Sequence, residues 1–525
     1  MRRRFSAFSA LVLGLHSLVL VSPALAGVTG LVGEHHAGGA EGLEQEVWPE
    51  GVPVGSATEL GAVDGLSGRG RAPAEEAFHR GRAENLLRSI LSHPAAALIP
   101  ASIAFLALAW GPLKHRYSAA GRRRVGMFLS LVLVLELLAL LSLAGFRIAR
   151  PVTWDFPHFY MVGRAAVQGL NYADPEVLRT VYEDVRMDSA APPVARGTIL
   201  FKYFPMSALV LVYLGLLPYR SALIVHYITQ IAYLLGATVL LRRIGSFERS
   251  YSGYRTAGLL VLTFLPVYGA VSVAQIGFGA LFWLVLSMCL LATRPILSGV
   301  ALGVGFLYKH LLVIPLVFSA FVRRYSTMAG FVVFVALTAV IIVAFFGVLP
   351  FRTYVNEGPV TQNNQKLSDD INISLVATLL RLSDRELPDH RLASILSYSP
   401  FVAVSLFLAA CTILVCVRSQ RHVELSLLST SLTVLLALML FPHVLYNTLP
   451  VALAPLSAIH SASRLLSSLR TRLCVLLSIA AQYGIVVLRP YPFSFLMVAT
   501  TWITAAVVLI LAGRDLSLAR ISAPE

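Results

Sequence analysis

Long apolar segments that follow one another through most of the chain are the feature that most limits how it folds. From Val125 to the C-terminus, runs of about 18–25 apolar residues recur, each long enough to cross a bilayer as a helix. Only 13% of the residues are charged, whereas a soluble domain carries roughly 25%. The alternating pattern of an outer-membrane barrel is absent from the sequence. The sequence therefore predicts an all-α polytopic membrane protein.

The basic residues, which give a formal net charge of +15, lie in short clusters between the apolar runs. Such clusters mark the cytoplasmic loops of membrane proteins. We therefore expect all of them on the cytoplasmic side, with membrane lipids rather than nucleic acid as the partner. The clusters are at 114–116, 122–124, 242–243, 323–324, 418–421 and 464–472.

Counting spans between the basic loops predicts roughly 11–13 transmembrane helices, some of them short or broken. The count depends on 204–241 and 297–321, where polar residues interrupt apolar runs. Lys309 is the clearest interruption, because a lysine in mid-membrane costs about 2.5–3.5 kcal/mol. Two short helices that meet at an outer turn avoid this cost.

The chain divides into regions of different character. Residues 1–27 have the basic start, apolar middle and small-residue end of a signal peptide or signal anchor. Residues 28–93 show no lasting hydrophobic period, which predicts an exported, low-complexity, disordered segment. An extra span and a basic cytoplasmic loop occupy 94–124. The membrane domain covers 125–512, and 513–525 form a cytoplasmic tail.

A carboxylate lies among aromatic residues in the stretch WDFPHFY, residues 154–160, directly after an apolar run. By the span count, Asp155 lies just outside the membrane, opposite the basic loops. A partly desolvated carboxylate suits a general base, and neighbouring aromatic rings suit stacking on a sugar. The alternative from these residues alone is an aspartate that caps the following helix beside a belt of interfacial aromatics.

The same boundary collects other polar residues from distant parts of the chain. Each alone has a plainer explanation, because lysines and histidines often extend toward the membrane surface and a glutamine often satisfies a helix end. Their convergence on the side opposite the basic loops favours a binding site. The candidates besides Asp155 are Lys202, Gln275, Lys309, His310, Asn372 and His443, with Tyr160, Tyr203 and Tyr446 as aromatic candidates.

A series of segments occurs in an order that resembles a known family. They are WDFPHFYMVGRAAVQGLNYADP (154–175), FKYFPMSAL (201–209), AQIGFGALFWL (274–284), LSGVALGVGFLYKHLLVIPLVF (297–318), NISLVATLLRL (372–382) and FPHVLYNTLPVALAP (441–455). In this order they resemble glycosyltransferase family 87, in the C-type superfamily of membrane glycosyltransferases. Ala274 and Gly277 depart from the family's Gly-Gln-x-Asn element.

The resemblance implies a C-type glycosyltransferase fold whose first exoplasmic loop carries the catalytic aspartate, here Asp155. It implies an inverting hexosyltransferase that moves a sugar, usually mannose, from a polyprenyl-phosphate donor to a lipid-linked or glycan acceptor. The implied location is the bacterial inner membrane, with the active site on the periplasmic face.

The leaving phosphate of such a donor needs cations but no general acid. Lys309, His310, Lys202 and His443 are the candidates to bind it. A single phosphate held by lysine and histidine does without a divalent ion, so we expect no metal and no cofactor.

Two other functions remain open from the sequence. A transporter or flippase of a lipid-linked sugar also has broken helices and interfacial charges, although the sequence shows no inverted repeat. A polymerase or ligase of lipid-linked glycans needs a large polar loop, which 351–390 would supply in part.

Overall fold

The computed structural model describes residues 94–114, 118–149, 155–188, 203–357, 372–383, 392–419, 425–441, 444, 446–485 and 493–522. The predicted signal segment 1–27 and the predicted disordered segment 28–93 lie outside these ranges. Lys202 and His443 lie outside them as well.

Helices joined by short turns build the described part of the chain. The first half contains α1 (Pro94–Leu113), α2 (Ala119–Ala149), α3 (Phe156–Val167), α4 (Pro175–Asp188), a 3-10 helix (Pro205–Val210), α5 (Val212–Gly215), α6 (Tyr219–Ile244), α7 (Tyr251–Leu262), α8 (Leu265–Ser272) and α9 (Gly277–Leu290). The second half contains α10 (Pro295–Tyr308), a 3-10 helix (His310–Leu312), α11 (Val313–Phe321), α12 (Tyr325–Phe346), α13 (Leu349–Glu357), α14 (Leu375–Leu382), α15 (Leu392–Ser397), α16 (Ser399–Ser419), α17 (Ser426–Leu440), a 3-10 helix (Tyr446–Ala452), α18 (Leu453–Ser463), α19 (Leu469–Ile485) and α20 (Phe493–Ser522).

Five of these helices are long and apolar enough to cross a membrane: α2, α6, α12, α16 and most of α20. A sixth span is formed by α7 and α8 together, which are bent by 60° at their junction. Shorter apolar helices of 10–17 residues include α9, α10 and α17. The all-α polytopic membrane class is therefore confirmed, and the predicted 11–13 spans are reached only when short helices are counted with full-length ones.

The polar interruption at Lys309 is a turn between two short helices, α10 and α11. The direction of α10 follows from its close packing along α12. A Cβ atom on Gly299 would clash with the Thr327 carbonyl, and one on Gly303, a turn further along, would meet the Phe334 ring. The two helices are therefore parallel and begin at the same level, and α11 leads the chain back from the end of α10 to the start of α12.

Basic clusters that are distant in sequence meet at one end of the bundle, called here the basic end. Lys114, after α1, pairs with Glu248, which follows the basic pair 242–243. Arg464, after α18, donates a hydrogen bond to the Ser246 carbonyl in the same loop. This common location is what a shared cytoplasmic side predicts.

The opposite end of the bundle, called here the site end, is reached by helices that leave the basic end. The bent pair α7–α8 runs to the turn that carries Gln275, from which α9 returns. The helix α10 then leads to Lys309. The turns at Gln275 and Lys309 therefore lie at the site end.

A continuous apolar core runs between the two ends. Its largest buried side chains include tyrosines whose hydroxyls have polar partners. The Tyr233 and Tyr308 hydroxyls lie 2.8 Å apart, and the Tyr483 hydroxyl donates to the Leu260 carbonyl at 2.9 Å. Since an unpaired buried hydroxyl is costly, these bonds allow the tyrosine side chains to be buried where α6, α7, α10 and α19 pack together.

Candidate active site

Asp155 immediately precedes α3, and its side chain is engaged by a residue far away in sequence. It occupies the N-cap position, with φ −99° and ψ −29°, but makes no side-chain capping hydrogen bond to α3. Instead, the Gln275 amide donates a hydrogen bond to the Asp155 carboxylate. The Asp155 backbone N–H points to the Val273 carbonyl at 3.4 Å. The carboxylate is thus held by the turn between α8 and α9, and the capping alternative does not describe its geometry.

The aromatic residues that follow Asp155 fix α3 in the core. Phe156 and Phe159 are buried, and a proline in the first turn suits a helix start. The predicted sugar-stacking residue Tyr160 is only 3% exposed, and its hydroxyl donates to the Leu217 carbonyl at 2.9 Å. The structure therefore places Tyr160 in the packing layer behind Asp155, where it joins α3 to the segment before α6.

The turn that carries Gln275 has an unusual backbone conformation. Ala274 has φ +54°, a region that residues with a Cβ atom rarely adopt. The Gln275 backbone N–H donates to the Ala270 carbonyl at 2.9 Å, which closes the turn. The Gln275 side chain is 3% exposed, so its amide is held in a protein environment where a hydrogen bond to a carboxylate is strong.

Lys309 brings a positive charge to the same place. Its ammonium donates to the Tyr203 hydroxyl at 3.3 Å and lies 5.3 Å from the centre of the Tyr203 ring. The Asp155 carboxylate acts electrostatically on both Lys309 and Tyr203, and Tyr203 also hydrogen-bonds with Gln275. Four of the predicted site residues, from four separate segments, therefore form one polar cluster.

His310, the next residue, extends this cluster toward α17. Its ring lies 6.1 Å from the Tyr203 ring and 4.9 Å from the Phe441 ring. The His310 Nδ1 atom is buried and has no hydrogen-bond partner among the described residues. A polar atom left in this state is available to a ligand.

Asn372 fixes a neighbouring loop through its side-chain oxygen. This oxygen accepts hydrogen bonds from the Val444 N–H and the Ser374 N–H, both at 3.2 Å. Asn372 is 1% exposed. Its amide oxygen therefore ties the start of α14 to the residue after His443.

Three predicted candidates have no described side chain. Lys202 and His443 lie outside the described residues, and Tyr446 begins a 3-10 helix but its side chain is not described. Their chain neighbours Tyr203, Phe441 and Val444 all lie at the site end. The roles of these candidates remain predictions.

Sequence reasoning missed His226, a buried residue of α6. Its Nε2 atom lies 2.8 Å from the Ala274 carbonyl, one residue before Gln275. The only signal in the sequence was a histidine in an apolar helix, a pattern that is usually structural. In the described part of the chain, no group of three or more His, Cys, Asp or Glu residues is placed to hold a metal ion.

Comparison with known proteins identifies one family. Residues 201–442 match the family model of glycosyltransferase family 87. The matched range contains Tyr203, Gln275, Lys309 and Asn372, and begins after Asp155. No curated protein and no solved structure matches the chain. The match confirms the family that the order of the sequence motifs indicated.

Proposed function

Because residues 201–442 match the family model of glycosyltransferase family 87, we propose that this membrane glycosyltransferase transfers mannose from a polyprenyl-phosphate donor to a lipid-linked or glycan acceptor, with inversion at the sugar. The observation that carries the proposal is the polar cluster at the site end. In it, the Asp155 carboxylate is held by the Gln275 amide and acts electrostatically on the Lys309 ammonium. A base and a cation in one site are what an acceptor hydroxyl and a leaving phosphate require.

Asp155 is the general base in this mechanism. The acceptor oxygen attacks the anomeric carbon from the face opposite the phosphate, and its proton passes to the Asp155 carboxylate. The bond between the anomeric carbon and the phosphate oxygen breaks, and its electron pair leaves with polyprenyl phosphate. One displacement inverts the anomeric centre, so a second catalytic carboxylate is not needed. The Gln275 amide fixes the direction of the carboxylate.

Lys309 and His310 are proposed to bind the donor phosphate. The ester phosphate gains negative charge as the bond breaks, and an ammonium group stabilises that charge best in a site with little water. Tyr203 orients the Lys309 ammonium through its hydroxyl at 3.3 Å. His310 supplies a nitrogen, Nδ1, without a partner among the described residues.

The depth of the cluster suits a donor with a lipid chain. The helices α10 and α12 begin at the same level, and they have 14 and 22 residues. At 1.5 Å per residue, the turn at Lys309 therefore lies about 12 Å short of the far end of α12. A phosphate at the end of an isoprenoid chain reaches such a recess from the bilayer, whereas a nucleotide sugar would approach from water.

The positive-inside rule supports an exoplasmic active site. It assigns the basic end to the cytoplasm, which leaves the site end on the exoplasmic face. For a bacterial inner membrane this is the periplasmic face.

A transfer assay with matched variants tests the proposal. Purified protein in lipid vesicles receives polyprenyl-phosphate-mannose with a radiolabelled sugar and a glycolipid extract as acceptor, with and without EDTA. We expect labelled product from the wild type under both conditions, and a loss of about 10²–10⁴-fold in kcat for Asp155→Asn. Asp174→Asn is the matched control, because Asp174 lies on the next turn and caps α4 by accepting from the Glu176 N–H at 2.9 Å, which asparagine also does.

Each contrary outcome overturns a separate part of the proposal. Unchanged transfer by Asp155→Asn excludes this carboxylate as the base. Transfer from a nucleotide sugar but not from the lipid phosphate excludes the donor. Movement of labelled lipid across the vesicle without any covalent product would identify a flippase. Loss of activity with EDTA, restored by a divalent ion, would exclude the metal-free reaction.

A further inference from the structure

Two consecutive residues of α6 form hydrogen bonds with backbone carbonyls in and just before the turn that carries Gln275. The carbonyl of Ala274 lies 2.8 Å from His226 Nε2. The Tyr227 hydroxyl donates to the Val271 carbonyl at 3.0 Å. Since a carbonyl oxygen only accepts hydrogen bonds, His226 carries its proton at Nε2 and donates it to Ala274.

His226 also contacts the helix that begins after Asp155. Its ring lies 5.3 Å from the Phe156 ring and 6.1 Å from the Phe159 ring. The imidazole is fully buried, so these contacts are part of the packed core. One side chain thus touches both the turn that donates to the Asp155 carboxylate and the helix that positions Asp155.

The chemistry of the ring indicates why a histidine occupies this position. His226 Nδ1 is buried without a partner among the described residues, and such an atom costs about 1–3 kcal/mol. A phenylalanine would fill the same space and avoid that cost. What it would lose is the hydrogen bond to Ala274, whose backbone at φ +54° is strained.

We propose that His226 is a positioning residue for the reaction. By holding the Ala274 carbonyl, it keeps the turn in its strained conformation and so aims the Gln275 amide at the Asp155 carboxylate. His226 itself touches neither substrate. This inference rests on the proposed function, because it assumes that Asp155 is the base.

Two substitutions at His226 separate the hydrogen bond from the packing. His226→Phe keeps an aromatic ring against Phe156 and Phe159 but removes the donor. His226→Gln has an amide nitrogen that reaches about as far as Nε2 and retains the donor. We expect His226→Phe to lower kcat by about 10- to 100-fold with the donor KM changed less than about 2-fold, and His226→Gln to recover most of kcat.

His460→Phe is the matched structural control. His460 is also buried and also donates from a ring nitrogen to a backbone carbonyl, that of Gly245 at 2.9 Å. It lies at the basic end, where its ring stacks on Phe247. We expect His460→Phe to change the melting temperature about as much as His226→Phe does. Its kcat should stay within about 2-fold of the wild type, since this end of the bundle holds none of the proposed machinery.

A double-mutant cycle tests the route through Gln275. If His226 acts by aiming Gln275, His226→Phe has little further effect on kcat once Gln275 is alanine. Full additivity of the two effects would overturn the proposal. So would a kcat for His226→Phe equal to that of His460→Phe.

The activity of Asp155→Asn distinguishes a failure of the proposed base from a failure of the proposed role of His226. An active Asp155→Asn variant defeats the proposed base, whatever happens at His226. An inactive Asp155→Asn variant with a normal His226→Phe variant defeats only the positioning role. Should His226→Phe fail to fold, His226→Asn replaces it, because its amide is too short to reach Ala274 and the same loss of kcat is expected.

Discussion

Ala274 shows how a single residue can store strain beside a reactive group. Its φ of +54° is the left-handed conformation, which costs a residue with a Cβ atom about 1–2 kcal/mol. The related family element has glycine at this place, and glycine adopts this conformation without strain. The strain is confined to the one turn that presents Gln275 to Asp155.

We therefore expect Ala274→Gly to stabilise the protein by about 1 kcal/mol. The gain is a rise in melting temperature, measured in detergent or nanodiscs, with kcat retained because His226 still holds the carbonyl. Ala280→Gly is the control, since Ala280 is buried inside α9, where glycine costs about 1 kcal/mol. Equal destabilisation by both variants would show that the turn is not strained.

The sequence predicted the members of the polar cluster but not how they pair. Lys309 and Gln275 were recognisable because each interrupts an apolar run. The Asp155–Gln275 and His226–Ala274 contacts join residues 120 and 48 positions apart. Such contacts depend on how α6, α8 and α9 pack, which no local pattern encodes.

At the scale of helices, the parallel pair α10 and α12 sets where Lys309 lies. Their backbones approach closely at Gly299, in a small-residue spacing that brings membrane helices together. The break after α10 was predicted because a lysine is costly inside a bilayer. The irregularity predicted within 204–241 is a 3-10 helix and the short α5 before α6 begins at Tyr219. Where each short helix ends depends on tertiary contacts, so these boundaries could not be predicted.

Gly299→Ala is expected to destabilise the protein by about 1–3 kcal/mol and to reduce activity. Its Cβ atom would overlap the Thr327 carbonyl, so α10 must move and carry Lys309 with it. Gly145→Ala in α2 is the control, because a Cβ atom there meets nothing within 4 Å and alanine favours a helix. Thermal unfolding and the transfer assay measure both effects, and identical behaviour of the two variants would contradict this packing.

At the scale of the whole molecule, basic loops and polar cluster lie at opposite ends of one bundle. The basic end joins the loops after α1, α6 and α18. The site end joins the start of α3 with the turns after α8 and α10. This separation was predictable, because the positive-inside rule and the parity of spans act along the whole chain.

Labelling of single cysteines is expected to separate the two ends. In a variant without Cys289, Cys411, Cys416 and Cys474, Glu176→Cys in α4 should react with an impermeant maleimide on intact spheroplasts. Arg249→Cys, in the exposed loop after α6, should react only after permeabilisation, because the membrane shields the cytoplasm. The reverse pattern would invert the topology and move the proposed active site to the cytoplasmic face.

The short length of α10 bears on whether water can compete with the acceptor in the proposed reaction. The proposed reaction centre is set about 12 Å below the far end of α12, and in a bilayer that α12 spans this would be the depth of the acyl chains. Bulk water is scarce there, so it competes poorly with an alcohol for an activated anomeric carbon. For the proposed lipid-linked donor, the depth of the site by itself would suppress wasteful hydrolysis.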